Sequence, residues 1–274
     1  MLTIDIEEEL EGSPKQIEKL TDEEYNKVGN YKDGITKDTV WRCSEIKDIY
    51  KSNLYDIIYN KRELKGDALT LGSAIHTKIL EPEEFNKRYS TIPSLDNTGI
   101  EFLDKNMLEA IEIAEKSVNN KYRALIEKAE HKEVCLFGNI GDHKTKVKAD
   151  IIVSAGGKRY FIDLKTTSAF NVFNLREIGN SVENYNYDLQ ASFYLDTANS
   201  IGLNVDGFLF LFVNAKDGSC QLFETPQILL ERGRQKYTKA FEQIESFQKS
   251  GHFMQSGFLE SLPVQNWIVR EMER

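Results

Sequence analysis

The sequence predicts an α/β fold, with a central mixed β-sheet that has an antiparallel hairpin at its core and helices on its flanks. Two strand-like runs, 147–153 and 159–165, surround Gly156 and Gly157. A Gly-Gly pair favours a two-residue hairpin turn, because both central positions need positive φ. Residues 207–214 are apolar on both faces, which is typical of a strand in a covered sheet. These runs alternate with segments of helical periodicity, so the sheet is expected to lie between helices.

The remaining elements follow from periodicity and from breaker residues. Residues 133–138 predict a strand that joins the hairpin in a meander after a polar turn at 139–146, and 221–224 predict a short strand. Ser44 is a candidate N-cap for the first helix, and Pro82 ends the second because proline disfavours helix at the residue before it. The predicted helices cover about 44–58, 69–80, 101–129, 188–199 and 227–249.

Charge and composition divide the chain unevenly. Of the formal charge of -9, residues 1–24 contribute -7, from nine acidic residues against Lys15 and Lys19. We therefore expect an acidic, flexible N-terminal arm over 1–35 and a single domain over 36–274. Three scattered cysteines predict buried free thiols rather than a zinc site or a disulfide framework. No apolar run approaches the roughly 20 residues of a membrane span, so we expect a cytoplasmic protein without a membrane partner.

The hairpin brings carboxylates together. If Ala155 faces Lys158, counting outward sets Asp150 directly opposite Asp163, and alternation places both on the same side as Lys165. Two carboxylates about 5 Å apart repel each other unless a cation lies between them, and Mg²⁺ prefers such oxygen ligands. The lysine could orient or deprotonate a water, or stabilise developing charge. Six cations within 144–165 suit a phosphate-bearing substrate. A surface ion pair on a strand is the alternative interpretation of Asp-x-Lys.

Five short motifs follow one another along the chain. They are GSAIH at 72–76, LEPEEF at 80–85, KAD at 148–150, DLKTT at 163–167 and DLQASFY at 188–194. Together they resemble the RecB/RecE-like branch of the PD-(D/E)xK nucleases, and most of all the phage-type exonuclease VIII (RecE) nuclease domain, over about residues 40–215. The resemblance implies a restriction-endonuclease-like fold.

The resemblance also implies roles for individual residues. Lys165 would be the catalytic lysine beside the catalytic carboxylates Asp150 and Asp163, and Mg²⁺ would be the cofactor, with Mn²⁺ able to replace it. The implied metal ligands are His76, Asp150, Asp163 and the Leu164 carbonyl; Gln190 and Tyr194 would lie near the substrate, and Glu133 would be a further acidic site residue. Structural alternatives stay open: His76 as a core histidine with satisfied hydrogen bonds, Gln190 and Tyr194 as a helix face packed at the core boundary, and Glu133 as a solvated strand end.

As a whole, the resemblance implies a Mg²⁺-dependent exonuclease that degrades linear double-stranded DNA from 5′ to 3′ and leaves 3′ single-stranded tails for recombination. It implies a RecT-like single-strand annealing partner, a homo-oligomeric ring, and the cytoplasm of a bacterial or phage-infected cell. Two alternatives stay open. One is a RecB-like nuclease that acts on single strands within a repair complex, and the other is a non-catalytic DNA-binding or scaffold protein that keeps the fold.

Overall fold

The computed structural model describes residues 16–60, 66–92 and 100–253, and over these residues the chain forms the predicted α/β fold. A mixed sheet of seven strands forms the centre, and two further strands form a small separate sheet. The strands are β1 (Ile17–Glu18), β2 (Trp41–Arg42), β3 (Tyr89–Ser90), β4 (Glu101–Phe102), β5 (Ala129–Ile140), β6 (His143–Ala155), β7 (Lys158–Thr167), β8 (Gly207–Asn214) and β9 (Cys220–Glu224).

Nine α-helices lie in the described part of the chain, together with a 3-10 turn over Tyr31–Asp33. They are α1 (Asp22–Lys27), α2 (Cys43–Lys51), α3 (Leu54–Tyr59), α4 (Asp67–Leu80), α5 (Pro82–Arg88), α6 (Lys105–Glu127), α7 (Leu175–Asn184), α8 (Tyr187–Ser200) and α9 (Gln227–Ser250). In this part of the chain, no helix combines the length and the hydropathy that crossing a bilayer requires.

The sheet order places the predicted meander at the centre. The order is β1-β5-β6-β7-β8-β9, and β2 pairs in parallel with β6. β5, β6 and β7 are antiparallel neighbours, as the sequence predicts, and β8 pairs in parallel with β7. The mixed character of the sheet is thus confirmed, and the strand that is apolar on both faces lies between β7 and β9.

The hairpin turn has the predicted register up to the site. Gly156 and Gly157 have φ of 60° and 77°, a conformation that glycine adopts without steric cost. Ala155 pairs with Lys158, and the pairing continues in step to Ile151 and Ile162, where the ladder ends. One pair short of Asp150 and Asp163, the two strands separate.

Two hydrophobic layers cover the two faces of the sheet. One layer includes Trp41, Ile46 of α2, Phe193 of α8 and Ile244 of α9. The other includes Ile75 of α4, together with residues of α6 and the inward side chains of β6 and β7. Helices α2, α8 and α9 therefore lie on one side of the sheet, and α4 and α6 lie on the other.

The N-terminal boundary needs a correction. Residues 16–35 do not form a loose arm: β1 pairs with β5 and Tyr31 is buried against the core. Lys146, fully buried on β6, donates hydrogen bonds to the carbonyls of Tyr25 and Val28. Buried carbonyls and a buried ammonium group satisfy each other here, which fixes the segment to the domain. Residues 1–15 of the predicted arm, and 254–274 of the predicted domain, lie outside the described residues.

Several predicted boundaries also differ. The first helix is two helices, because the chain breaks at Ser52 and Asn53 caps α3. Arg42, not Ser44, occupies the N-cap of α2. The polar turn predicted over 139–146 is a tight turn at Gly141, so that β5 and β6 run farther than predicted. The break after Leu80 is confirmed, with Pro82 at the start of α5.

Candidate active site

Three side chains from different elements meet where the hairpin strands separate. His76 comes from α4, Glu133 from β5 and Asp150 from β6, and one donor atom of each lies within 4.8 Å of the others. His76 Nδ1 is 3.4 Å from Asp150 Oδ2. The same carboxylate oxygen accepts a 2.8 Å hydrogen bond from the backbone N–H of Leu164. Asp150 therefore replaces the strand pairing that the ladder lacks at this point.

Glu133 owes its position to an unusual backbone conformation. Its φ is 50°, in the left-handed region that residues other than glycine, asparagine and aspartate rarely adopt. Its neighbours Lys132 and Val134 pair normally with Ile151 and Ala149. The local distortion turns the Glu133 side chain toward the cluster, and such distortions concentrate at functional sites.

A second group of polar residues lies on the α8 side. Asp163 is buried, and its Oδ1 accepts a 2.5 Å hydrogen bond from Gln190 Nε2. Its Oδ2 lies 2.7 Å from Lys165 Nζ but accepts no well-directed hydrogen bond among the described residues. The structure thus places Asp163 beside Lys165 and Gln190, not within the group of His76, Glu133 and Asp150. The expectation that Asp150 and Asp163 share one cation site stays a prediction, and in the structure the two carboxylates lie in adjacent groups with different partners.

In the acidic cluster of His76, Glu133 and Asp150, the nearby positive charges do not offset the burial and mutual repulsion of the two carboxylates. Burial and the charge of Asp163 raise the pKa of Asp150 to about 8, and burial together with Asp150 raises the pKa of Glu133 to about 7. Burial lowers the pKa of His76 despite the nearby carboxylates. A carboxylate pair in this state gains from a bound cation, because the cation removes the like-charge repulsion and offsets the desolvation.

For Lys165 and Lys148, in contrast, the surroundings favour the charged form. Burial lowers the pKa of Lys165, but Asp163 and Tyr187 outweigh that effect and the net pKa is raised. Lys148 lies 3.1 Å from Glu133 and 2.7 Å from Asp22, and these carboxylates raise its pKa against the effect of burial. Both lysines therefore carry a positive charge at neutral pH. For Lys165 this favours charge stabilisation over deprotonation of a water.

The two residues predicted to meet the substrate have internal partners. Gln190 is buried, and its amide contacts Asp163 and Lys165 as well as Lys47. The Tyr194 hydroxyl donates to the backbone carbonyl of Lys148, and its ring packs at the edges of aromatic rings in the core. Gln190 thus holds side chains of β7 in position, and Tyr194 holds the backbone of β6.

An open cleft of about 590 Å³ leads to the acidic cluster from the α4 side. Asp22 of α1 and Arg88 of α5 contribute to its wall, as do Gly72 and Thr166. A Cβ added at Gly72 would lie 3.4 Å from Thr166 Oγ1, so α4 lies close to β7 here. Close approach at this glycine places His76, one turn farther along α4, beside Asp150, where β6 and β7 separate.

Sequence reasoning missed Asp22 and Lys47. Asp22 belongs to the segment predicted as a flexible arm. Lys47 lies within the first predicted helix, over about 44–58. Their contacts with Lys148 and Gln190 span 126 and 143 residues of sequence. No local pattern signals such contacts. The predicted basic surround of the hairpin is mostly engaged internally, since Arg159 pairs with Glu130 and the cations on β6 pair with N-terminal residues or bind their carbonyls.

The side chains of His76, Glu133 and Asp150 fit a divalent cation. Two carboxylates and an imidazole supply hard oxygen donors and one nitrogen donor, a set that suits Mg²⁺ or Mn²⁺. The raised pKa values of Asp150 and Glu133 show that burial and mutual repulsion outweigh the nearby ammonium groups, so a cation between these carboxylates would be favourable. Lys165 completes the pattern of a carboxylate and a lysine two residues apart.

Comparison with known families agrees with this arrangement. The family model described as a PDDEXK-like domain of unknown function (DUF3799) matches residues 43–258. The chain belongs to this family. The PD-(D/E)xK resemblance and the fold class are therefore confirmed at the level of the superfamily, and the particular closeness to RecE stays a prediction. None of the curated proteins compared with the chain matches it.

Two solved structures illustrate the likeness of the PDDEXK-like domain. One is a protein from Eubacterium rectale named as a "putative exonuclease". It is 13% identical, with a TM-score of 0.60 over 91% of this chain and 97% of that chain. The other is an alkaline exonuclease from Laribacter hongkongensis, 11% identical, with a TM-score of 0.35 over 80% of this chain and 93% of that chain. Of these two, the first supports the fold, and the second is too distant to carry an argument.

Proposed function

We propose that this PDDEXK-like protein is a metal-dependent nuclease that hydrolyses phosphodiester bonds of DNA. One observation carries the proposal: His76, Glu133 and Asp150 converge within one coordination sphere, next to Asp163 and Lys165. This arrangement combines a candidate cation site that lines an open cleft with a fixed ammonium group beside it. Phosphoryl transfer needs both, since charge develops on the phosphate oxygens and on the leaving oxygen.

The proposed metal set consists of His76, Glu133 and Asp150, with Asp163 and the Leu164 carbonyl adjoining it. The Leu164 carbonyl adjoins the set because the backbone of Leu164 hydrogen-bonds to both Asp150 and His76. When bound, Mg²⁺, or Mn²⁺ in its place, would lower the pKa of a water and neutralise charge on the scissile phosphate.

The protein side chains have separate tasks in this proposal. Lys165 keeps its positive charge because of Asp163, and it is positioned to stabilise the negative charge that develops during cleavage. Gln190 holds both partners, through Nε2 to the carboxylate and through Oε1 to the ammonium group. Tyr194 fixes the backbone of β6 next to the cluster. These two are proposed as positioning residues rather than substrate ligands.

The substrate proposal is linear double-stranded DNA, degraded from 5′ to 3′ to give 3′ single-stranded tails for recombination. The support is the resemblance of the sequence motifs to the RecE branch, together with the exonuclease-named neighbour of similar fold. A RecT-like annealing partner and a homo-oligomeric assembly are proposed on the resemblance alone. Size-exclusion chromatography with light scattering tests the assembly, and a duplex with 5′-phosphate or 5′-hydroxyl ends tests the polarity.

The decisive experiment uses end-labelled linear duplex DNA, incubated with the protein in Mg²⁺, in Mn²⁺ or in chelator. We expect nucleotide release with either metal and none in chelator. Asp163→Asn and Lys165→Ala should each abolish release while the unfolding transition stays cooperative. His76→Ala should shift the Mg²⁺ dependence to higher concentration.

A protein that releases no nucleotide under any metal condition would leave a DNA-binding or scaffold role for this fold. Release from single-stranded but not from duplex DNA would instead favour the RecB-like alternative. Full activity in Asp163→Asn or Lys165→Ala would show that the site lies elsewhere.

A further inference from the structure

Next to Lys165, on the α8 side, lies a face of aromatic rings and ammonium groups that the metal chemistry does not use. The rings of Tyr185 and Tyr187 stack, with centroids 5.6 Å apart and planes inclined by 26°. The ring of Tyr187 lies 4.7 Å from Lys165 Nζ and 5.4 Å from Lys47 Nζ. Tyr185 is 62% exposed, so one end of this stack faces solvent while the other contacts the catalytic lysine.

A buried network holds the two rings in place. Asn186, between them, has φ 49° and ψ 51°, a left-handed conformation that asparagine tolerates better than most residues. Its Oδ1 accepts a 2.8 Å hydrogen bond from the buried Lys236, which also donates to Asp188. Lys236 of α9 therefore fixes the junction between α7 and α8. The exposed ring at this junction belongs to a rigid element, and rigid aromatic surfaces bind planar ligands at low entropic cost.

The charge beside the stack is unbalanced. Gln190 Oε1 accepts hydrogen bonds from Lys47 Nζ at 2.7 Å and from Lys165 Nζ at 3.2 Å, so two ammonium groups converge on one amide oxygen. Lys165 pairs with Asp163, whereas no carboxylate within the described ranges lies at ion-pair distance from Lys47. Lys47 is half-buried. A half-buried cation without a counter-charge gains from an anion that replaces its lost hydration.

We propose that Lys47, Tyr187 and Tyr185 form a subsite beside Lys165, which takes the unpaired end of the cleaved strand. A phosphate of this end would lie against Lys47, and a base of this end would stack on the exposed ring of Tyr185. The proposal rests on the nuclease function proposed above and names how that site grips its substrate. Because every base offers a π-face, such a subsite binds DNA without reading its sequence.

The first test measures stacking directly, with 2-aminopurine at the end of a short single-stranded overhang on a linear duplex. Binding is followed by fluorescence in chelator, which suppresses metal-dependent cleavage. We expect the wild-type protein to quench 2-aminopurine. Tyr185→Ser should lose the quenching and bind roughly tenfold more weakly, since stacking on an aromatic side chain contributes about that factor or more. Tyr185→Phe should keep both properties.

The matched control is Tyr55→Ser. Tyr55 is also an exposed tyrosine, but its ring packs against Tyr59 and Phe253, away from Lys165. This variant should quench and bind like the wild type. Unfolding temperatures of all variants are measured alongside, and we expect little change for Tyr185→Ser because the side chain is mostly exposed.

The second test addresses Lys47 through salt dependence. Lys47→Met should lower the slope of log affinity against log salt by about 0.7 to 0.9, the value for one phosphate contact, and Lys47→Arg should keep the slope. Lys51→Met is the control, since Lys51 is an exposed lysine one turn farther along α2. A lysine with a purely structural role would leave this slope unchanged.

The outcomes separate this inference from the proposed function. A wild-type protein that binds and cleaves DNA without quenching 2-aminopurine would overturn the subsite and keep the nuclease. Quenching by Tyr185→Ser equal to that of the wild type, or an unchanged salt slope in Lys47→Met, would also overturn it. A wild-type protein that neither binds nor cleaves DNA would remove the proposed function itself.

Discussion

Replacing Glu133 by glutamine should stabilise the metal-free protein, and the gain should grow with pH. Burial and Asp150 raise the pKa of Glu133 from 4.5 to about 7. Between these two values the folded protein binds more protons than the unfolded chain, so stability falls as pH rises through this window. Above pH 7 the ionised side chain costs up to about 3 kcal/mol, at about 1.4 kcal/mol for each pKa unit. Glutamine keeps the shape and the left-handed backbone but carries no charge.

The assay is urea denaturation in chelator at pH 5 and pH 8. We expect Glu133→Gln to match the wild type within about 1 kcal/mol at pH 5 and to exceed it by up to about 3 kcal/mol at pH 8. Excess Mg²⁺ should stabilise the wild type at pH 8 and stabilise the variant much less, because the stabilisation by a ligand of the folded state grows with the logarithm of its concentration relative to Kd.

The matched control is Glu130→Gln. Glu130 lies on the same strand and pairs with Arg159 at 3.1 Å, with about a third of each side chain exposed. Such a pair contributes at most about 1 kcal/mol, so the control should change little and should keep the response to Mg²⁺. A gain in Glu133→Gln that is equal at pH 5 and pH 8 would refute the reasoning. So would a loss of stability at pH 8 in chelator.

Three further variants and one control test the packing of the site and of the helices beside it. Gln190→Leu removes the hydrogen bond to Asp163 and the acceptor shared by two lysines, and it should lower the cleavage rate by about 10- to 100-fold in steady-state assays with little effect on DNA affinity. Tyr194→Phe removes one hydrogen bond to the Lys148 carbonyl and should cost about 1 kcal/mol in denaturant unfolding with cleavage retained; a large rise in KM would make Tyr194 a substrate ligand. Gly233→Ala sets a Cβ 2.1 Å from the Asp188 carbonyl oxygen and should cost about 3 kcal/mol or more in the same measurement, whereas Gly179→Ala, which meets no atom within 4 Å, should be neutral or slightly stabilising.

The sequence was sufficient where local rules act. The Gly-Gly turn fixes the hairpin register to Ile151 and Ile162, because a two-residue loop leaves one way to pair the strands. The break before Pro82 follows from the same kind of local sterics. Motif order indicated the PD-(D/E)xK superfamily, and the family model confirms the resemblance at that level.

Distant contacts and local distortions could not be predicted. Counting along ideal strands sets Asp150 opposite Asp163, but the strands separate there and each carboxylate finds its own partners. The left-handed backbone of Glu133 has no signal in composition or periodicity. Asp22 belongs to an acidic segment whose composition is typical of a disordered arm, and its partner Lys148 lies on a strand more than a hundred residues later.

The hydrogen bond from the Leu164 N–H to Asp150 makes one carboxylate serve two purposes. It closes a gap in the sheet, and it supplies an oxygen to the candidate metal site. An inactive descendant of this protein would still be under pressure to keep an acceptor at position 150, because a bare N–H between two separated strands costs folding energy. The residues at this position in relatives therefore report on foldability as much as on chemistry. Asparagine, which can accept the same hydrogen bond, is the substitution that evolution could use to lose cleavage while keeping the fold.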